Sequence, residues 1–167
     1  GWGDQLAARA HHWESAGELD RSRDLHLAAA PRGRERHAYA EAERLYQAHL
    51  RLVRQPTVES IAARCELAAE ILPLTGKMSD ALREQTTALE EARSLGRPAA
   101  EARCLRGHGD LYGKWGRMAE SRRVLEQALQ LHRSTDDRHE EGRTLASLSR
   151  VLQEQGRIDD ARQLIVQ

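Results

Sequence analysis

The hexapeptide GKMSDA occupies residues 76–81, GRMAES occupies residues 116–121, and GRIDDA occupies residues 156–161. Each copy begins with a glycine followed by a basic residue and ends at a small residue, and successive copies start 40 residues apart. Internal similarity at a fixed period of about 20 to 50 residues is typical of repeat proteins. The sequence therefore predicts a chain built from one unit that recurs every 40 residues.

Residues on both sides of these glycines fall into matching columns. Two columns hold the larger side chains: Cys65, Leu105 and Leu145 lie eleven residues before the glycine, and Leu72, Tyr112 and Leu152 lie four before it. Two other columns hold small side chains: Ala69, Gly109 and Ser149 lie seven residues before the glycine, and Ala81, Ser121 and Ala161 lie five after it. Spacings of three, four and seven place each set on one helix stripe, and small residues let two antiparallel helices approach closely. Each unit is thus predicted to be a helix, a glycine turn and a second helix. Gln85 fits poorly, because its column otherwise holds Leu125 and Ile165.

This columnar pattern resembles the tetratricopeptide repeat from about Thr57 to the end of the chain. The unit is longer than the usual repeat of about 34 residues and lacks the closing proline, as in the longer-helix variants of bacterial regulators. The resemblance implies an all-α fold, namely a right-handed α-α superhelix of about nine antiparallel helices. It also implies a protein-protein interaction scaffold rather than an enzyme.

The chain is expected to form a single solenoid with an irregular start. Residues 1–55 would hold irregular N-terminal helices, and the repeats would occupy residues 56–96, 97–136 and 137–167, the last one truncated. Pro31 and Gly33 are expected to kink or break the helix that contains them. The sequence HHWESAG at 11–17, followed by YAEA at 39–42, resembles the start of the repeat region in large bacterial ATPase-type regulators such as the maltose regulator and other LuxR-class proteins.

The final helix predicts an exposed apolar end. Leu164, Ile165 and Val166 would be uncovered if the solenoid stopped there, because terminal repeats normally carry a polar cap. We therefore expect this sequence to be a fragment of a longer native protein. Self-association through uncapped terminal helices is an alternative.

Composition argues against several classes of partner. The 26 basic and 26 acidic residues cancel, so we expect no nucleic-acid binding. No apolar run reaches the roughly 18 residues of a membrane span. The two cysteines, Cys65 and Cys104, are far apart and suit a reduced, cytoplasmic protein.

No catalytic, metal or cofactor site is predicted from the motifs. The stretch GHGDLYG at 107–113 has the wrong glycine spacing for a phosphate loop and is expected to lie within a helix. Its glycines are expected to make that helix soft. His108 occupies a column shared with Ala68 and Leu148, so a packed histidine is expected rather than a metal ligand.

In the tetratricopeptide repeat family the concave surface is lined by the first helix of each repeat, and the resemblance carries this geometry over to a definite set of residues. These predicted partner-binding residues are Glu66, Glu70, Arg103, Arg106, Asp110, Lys114, Arg143 and Arg150. The arginines would hold a protein or an acidic peptide, with Gly107 and Gly113 leaving open backbone beside them. A solvated face of salt bridges explains the same residues equally well, and the sequence leaves the two interpretations open.

The favoured function is a regulatory protein-binding module, a fragment of a larger bacterial signalling or transcriptional regulator. A peptide or small-ligand sensor that changes curvature when its groove fills is the first alternative. An element that assembles end to end is the second.

Overall fold

The computed structural model describes the backbone of residues 2–165 and the side chains of residues 5–164. Within that part of the chain every regular element is helical, which confirms the predicted all-α class. The nine α-helices found there are α1 Trp2–Ser15, α2 Leu19–Glu35, α3 Tyr39–Leu52, α4 Val58–Glu66, α5 Met78–Ser94, α6 Pro98–Lys114, α7 Met118–Ser134, α8 Arg138–Glu154 and α9 Ile158–Ile165.

One type of turn joins almost all of these helices. Its central residue has a positive φ angle, and these residues are Gly17, His37, Gly76, Gly96, Gly116, Asp136 and Gly156. At the turn after α6, the Gly116 N–H donates to the Gly113 carbonyl at 2.9 Å and the Arg117 N–H donates to the Tyr112 carbonyl at 2.9 Å. Such paired bonds satisfy the last carbonyls of a helix, so each turn both ends one helix and starts the next.

The chain divides into two compact units, residues 1–84 and residues 85–167, with the boundary inside α5. In the first unit α2 packs against both α1 and α3. In the second unit α7 packs against α6 and α8, and α8 packs against α9. The core cluster of the second unit consists of Leu125, Leu129, Leu148 and Val151, with Leu164 packed against it. Leu164 is therefore only partly uncovered, whereas the side chains of Ile165 and Val166 lie outside the described residues.

The predicted break at Pro31 and Gly33 is wrong. Helix α2 runs without interruption from Leu19 to Glu35 and contains both residues. A Cβ atom on Gly33 would lie 3.1 Å from the Cβ of Ala42, so the glycine permits α2 and α3 to approach closely. Packing against two neighbouring helices holds α2 together although Pro31 contributes no hydrogen bond.

Pro73 causes a departure from α-helical geometry that the sequence analysis did not anticipate. After α4 the helix widens into a π-helical segment, Leu67–Ile71, and then tightens into a 3-10 segment, Leu72–Thr75. Proline has no N–H and its ring presses on the preceding turn, so regular α-helical bonding cannot continue through it. The wide and tight segments compensate each other, because Val58 precedes Gly76 by the same interval as Pro98 precedes Gly116.

The three glycines of α6 are packing positions. Helix α6 continues from Pro98 to Lys114, and a Cβ on Gly109 would lie 2.5 Å from Cγ of Leu125. A Cβ on Gly107 would lie 2.8 Å from Nε2 of Gln85. The absence of side chains therefore lets neighbouring helices approach α6 closely.

Two buried polar side chains donate to the backbone of α6. Ser121 Oγ donates to the Gly109 carbonyl at 2.7 Å, and Gln85 Nε2 donates to the Cys104 carbonyl at 2.7 Å. Both side chains are fully buried. The poor fit of Gln85 to its apolar column is thus resolved by a hydrogen bond across the helix pair.

Replacing Gly109 by alanine should lower the free energy of unfolding by about 1–3 kcal/mol, because the added methyl group overlaps Leu125. The matched control is Gly142→Ala in α8, where no atom lies within 4 Å of the added Cβ. That change should raise stability by about 0.5–1 kcal/mol through helix propensity. Urea denaturation of both variants measures the difference, and equal stabilisation by both would contradict the close approach of α6 and α7.

Candidate functional site

Helices α6 and α8 pack against each other and present charged residues on one shared face. We call this surface the arginine face and define it by Arg103, Arg106 and Asp110 of α6 together with Glu140, Arg143 and Arg150 of α8. On each helix these residues are separated by three, four or seven positions, which places them on one stripe. The face lies entirely within the second unit.

Arg106 is the centre of an ion-pair network that joins the two helices. Its Nε donates to Glu140 Oε2 at 3.0 Å, and its Nη1 donates to Asp110 Oδ2 at 3.2 Å. Its side chain is only 15% exposed. A guanidinium that bridges two carboxylates in partly buried surroundings is well placed to fix the position of α8 against α6.

Two outer arginines share the same carboxylates. Arg150 Nη2 donates to Asp110 Oδ1 at 2.9 Å, and Arg143 Nη1 donates to Glu140 Oε1 at 2.9 Å. Both arginine side chains are about half exposed, at 54% and 53%. They can therefore leave their carboxylates at small cost, because exposed ion pairs contribute little to stability.

Arg103 differs from its three neighbours. It is exposed, and it has no ion pair with any side chain that the structure describes. The salt-bridge interpretation of the sequence therefore applies to Arg106, Arg143 and Arg150, whereas Arg103 carries a charge that no carboxylate balances.

The remaining predicted binding residues lie elsewhere. Lys114 is exposed in the last turn of α6, one turn beyond Asp110. Glu66 and Glu70 belong to the first unit, where Glu66 accepts a hydrogen bond from the Tyr46 hydroxyl and Glu70 lies 3.9 Å from Nη1 of Arg34. The structure thus gathers the four arginines and Asp110 into one face, and it gives Glu66 and Glu70 separate partners.

Gly107 and Gly113, predicted to leave open backbone beside the arginines, are partly exposed, but the positions of their missing Cβ atoms point at neighbouring helices. Gly107 lies against Gln85, and a Cβ on Gly113 would lie 3.4 Å from Ser121 Oγ and 3.9 Å from Val151. The approach is tight at Gly107, whereas a Cβ on Gly113 would make ordinary van der Waals contacts.

His132 of α7 is a neighbour of the arginine face that the sequence analysis missed. It is fully buried, and neither ring nitrogen has a hydrogen-bond partner among the described residues. Burial lowers the pKa of His132, Arg106 and Arg103 lower it further, and Glu140 and Asp137 act in the opposite direction. Its burial could have been predicted from the sequence, because His132 follows Leu125 and Ala128 on the same apolar stripe of the helix.

The other features singled out in the sequence are packed. His108 stacks on the Tyr112 ring with centroids 4.9 Å apart, as expected for a packed histidine, and Cys104 is buried while Cys65 is half-buried. The described residues contain no group of three His, Cys, Asp or Glu side chains placed to hold a metal ion. No helix in that part of the chain is long and apolar enough to cross a membrane.

Residues 108–167 match the tetratricopeptide repeat family. This segment contains the last seven residues of α6 and all of α7, α8 and the described α9, so it carries Asp110, Glu140, Arg143 and Arg150 of the arginine face but not Arg103 and Arg106. The match supports the resemblance seen in the repeat columns. The comparison with curated proteins found no match to this sequence.

Solved structures with tetratricopeptide-type repeats share the fold. The apo form of RapI has a TM-score of 0.73 at 13% identity, over 98% of this chain and 68% of that one. Kinesin light chain TPR-like repeats from Podosopora anserina give 0.70 at 18% identity, over 83% of this chain and 69% of that one. Aspartyl phosphate phosphatase F from Bacillus subtilis gives 0.75 at 9% identity, and this chain spans 97% of its own length but only 46% of the phosphatase. These likenesses show a helical-repeat fold of the tetratricopeptide type.

The network predicts unequal contributions from Arg106 and Arg150 to stability. Arg106→Ala should lower the free energy of unfolding by about 1.5–3 kcal/mol, because it removes two charge-assisted bonds from a mostly buried site. Arg150→Ala removes one exposed pair and should change stability by less than about 1 kcal/mol. Chemical denaturation at low salt compares the two variants, and equal losses would show that Arg106 does not organise the face.

The buried His132 predicts a loss of stability in mild acid. Because its folded-state pKa lies below the ordinary value of 6.5, the unfolded chain binds more protons, and the stabilisation present above pH 6.5 declines as the pH falls below it. His132→Leu should reduce this dependence, measured as denaturation midpoints between about pH 7.5 and pH 5. The control is His139→Gln, which changes an exposed histidine of α8; an identical pH profile in wild type and His132→Leu would refute the assignment.

Proposed function

We propose that this chain is a protein-binding scaffold and regulatory module whose arginine face recognises an acidic segment of a partner. The observation that carries the proposal is the charge arrangement on α6 and α8. Arg103 has no carboxylate partner among the described residues, and Arg143 and Arg150 stand beside it half exposed. A partner's carboxylates could pair with Arg103 and replace the intramolecular partners of the other two.

The fold supports a binding role of this kind. A stack of helical pairs presents the same stripe of successive helices to a partner, so recognition residues recur at a fixed interval along the surface. On the arginine face, Arg103 and Arg143 are one 40-residue interval apart, as are Asp110 and Arg150. An extended acidic segment that crosses α6 and α8 would meet these residues in succession.

The wider setting that we propose is a larger bacterial signalling or transcriptional regulator, in the cytoplasm. This part of the proposal rests on the resemblance of residues 11–17 and 39–42 to the repeat regions of ATPase-type regulators. In that setting the segment would bind a partner protein and would contribute no catalytic step. The flanking sequence of the gene is the direct check, because a regulator of that class carries an ATPase or a DNA-binding module.

The test of the binding face begins with a partner isolated by pull-down from the source organism. Replacing Arg103 and Arg143 together by alanine should weaken binding about tenfold or more, because each desolvated charge-assisted contact contributes substantially at an interface. The free energy of unfolding should change little, because both side chains are exposed. Isothermal titration calorimetry gives the affinities.

The matched control removes the same charge from another surface. Arg122→Ala with Arg123→Ala deletes two arginines of α7 that lie outside the arginine face. Affinity in this control should remain within about twofold of wild type, and all affinities should fall with added salt. Full affinity in the Arg103 and Arg143 variant, or equal losses in both variants, would reject the arginine face as the recognition surface.

A further inference from the structure

The arginine face carries more positive than negative charge. Its six residues are four arginines and two carboxylates. The Asp110 carboxylate accepts hydrogen bonds from Arg106 and Arg150. The Glu140 carboxylate accepts hydrogen bonds from Arg106 and Arg143. Because each carboxylate is shared between two guanidinium groups, the face has two positive charges that no group within it balances.

Arg103 and Arg143 lie at the same level on two neighbouring helices that run in the same direction. Asp110 and Arg150 define the register of α6 against α8, because they are 40 residues apart in sequence and their side chains meet at 2.9 Å. Arg103 and Arg143 are separated by the same interval. They lie two helical turns earlier, which is about 10.5 Å along each helix. A pair of opposite charges at one level is therefore followed by a pair of like charges at the other.

A single anion above the gap between α6 and α8 is within reach of both arginines. Arg150 alone crosses the same gap to the short side chain of Asp110. Arg103 and Arg143 have side chains of equal length to Arg150, and both are exposed. Arg103 has no ion pair with any described side chain, and Arg143 uses only its Nη1 to hold Glu140. Both guanidinium groups therefore keep N–H donors for a ligand.

The charge and the donors of this pair suit a phosphorylated side chain better than a carboxylate. A carboxylate carries one charge on two oxygens, which matches the fork of one guanidinium. A phosphomonoester carries about 1.5 to 2 negative charges at pH 7 and has three terminal acceptor oxygens. It can therefore accept from two guanidinium forks at once, and its charge equals the positive excess of the face.

We infer that Arg103 and Arg143 together bind one phosphorylated side chain of a partner protein. The inference rests on the proposed function, because it specifies which acidic group the arginine face receives. Arg106 stays between its two carboxylates and keeps α6 and α8 in register while the phosphoryl oxygens accept from the two outer arginines. Arg150 lies two turns away beside Asp110 and contributes less to this contact.

The test compares three alanine-based pentapeptides with blocked ends. The first has one central phosphoserine, the second has two aspartates at its second and fourth positions, and the third has an unmodified central serine. The first two carry similar charge, on one group or on two. NMR of the arginine side chains in isotope-labelled protein should show saturable shifts of Arg103 and Arg143 with the phosphopeptide. The two-aspartate peptide should bind about fivefold more weakly or worse, and the serine peptide should not bind.

Single variants test which arginines hold the phosphoryl group. Arg103→Gln and Arg143→Gln should each weaken phosphopeptide binding about tenfold, because each removes one of the two forks. Arg150→Gln is the matched comparison on the same helix, since Arg150 is 54% and Arg143 53% exposed. It should weaken binding by less than about threefold. Arg122→Gln, which removes an exposed arginine of α7 that pairs with Glu126, should leave the affinity unchanged.

Phosphatase treatment of the isolated partner separates this inference from the proposed function. Its affinity should fall about tenfold or more after treatment. Full affinity after treatment would overturn the phosphoryl assignment, whereas the variant that lacks both Arg103 and Arg143 tests the arginine face without reference to phosphorylation. The absence of saturable shifts up to about 10 mM phosphopeptide would also overturn the inference. So would equal affinity for the two-aspartate peptide, or equal losses in Arg143→Gln and Arg150→Gln.

Discussion

One left-handed residue at the end of a helix sets the spacing of this molecule. The turn returns two backbone N–H groups to the carbonyls of the finished helix, and the next helix starts two residues later in the opposite direction. Seven of the eight connections between the described helices use this turn, and α5, α6, α7 and α8 consequently start 20 residues apart with equal lengths. The eighth connection, between α3 and α4, has no left-handed residue, and it borders a cavity.

Uniform helices can pack closely only where one presents small residues, and this requirement accounts for the glycines of α6. Leu125 packs against Gly109, and Gln85 packs against Gly107, at distances that a methyl group on either glycine would prevent. Close approach also brings the hydroxyl of Ser121 within hydrogen-bond reach of the α6 backbone. The small residues at these repeat positions thus allow close helix packing and also allow buried polar groups to form hydrogen bonds.

The repeated glycines predicted the fold class, but the sequence did not predict every turn or the effect of each proline. Glycines mark the 20-residue interval at residues 76, 96 and 116, but His37 and Asp136 adopt the left-handed conformation without glycine, so the turns that they form were not visible as repeats of the glycine pattern. Pro31 was overestimated as a breaker because two neighbouring helices hold α2, while Pro73 was overlooked although it does distort its helix.

The candidate site shows the same limit. The pair of Arg106 with Asp110 could be predicted from their four-residue spacing on one helix. The pairs of Arg106 with Glu140 and of Asp110 with Arg150 join residues 34 and 40 positions apart. Only the packing of α8 on α6 brings these groups together, so the sequence could not choose between a free and a salt-bridged arginine.

The network also constrains how the arginine face would recognise a partner. An acidic segment that takes Arg143 or Arg150 from its carboxylate exchanges one ion pair for another, so the exchange itself yields little free energy. Arg103 gives up no partner, and a carboxylate that pairs with it adds a contact without breaking one. Arg106 is mostly buried between two carboxylates and would remain in place, holding α6 and α8 at a fixed separation. If the proposed recognition holds, selectivity would come from the spacing of the partner's carboxylates relative to Arg103, and less from the number of arginines available.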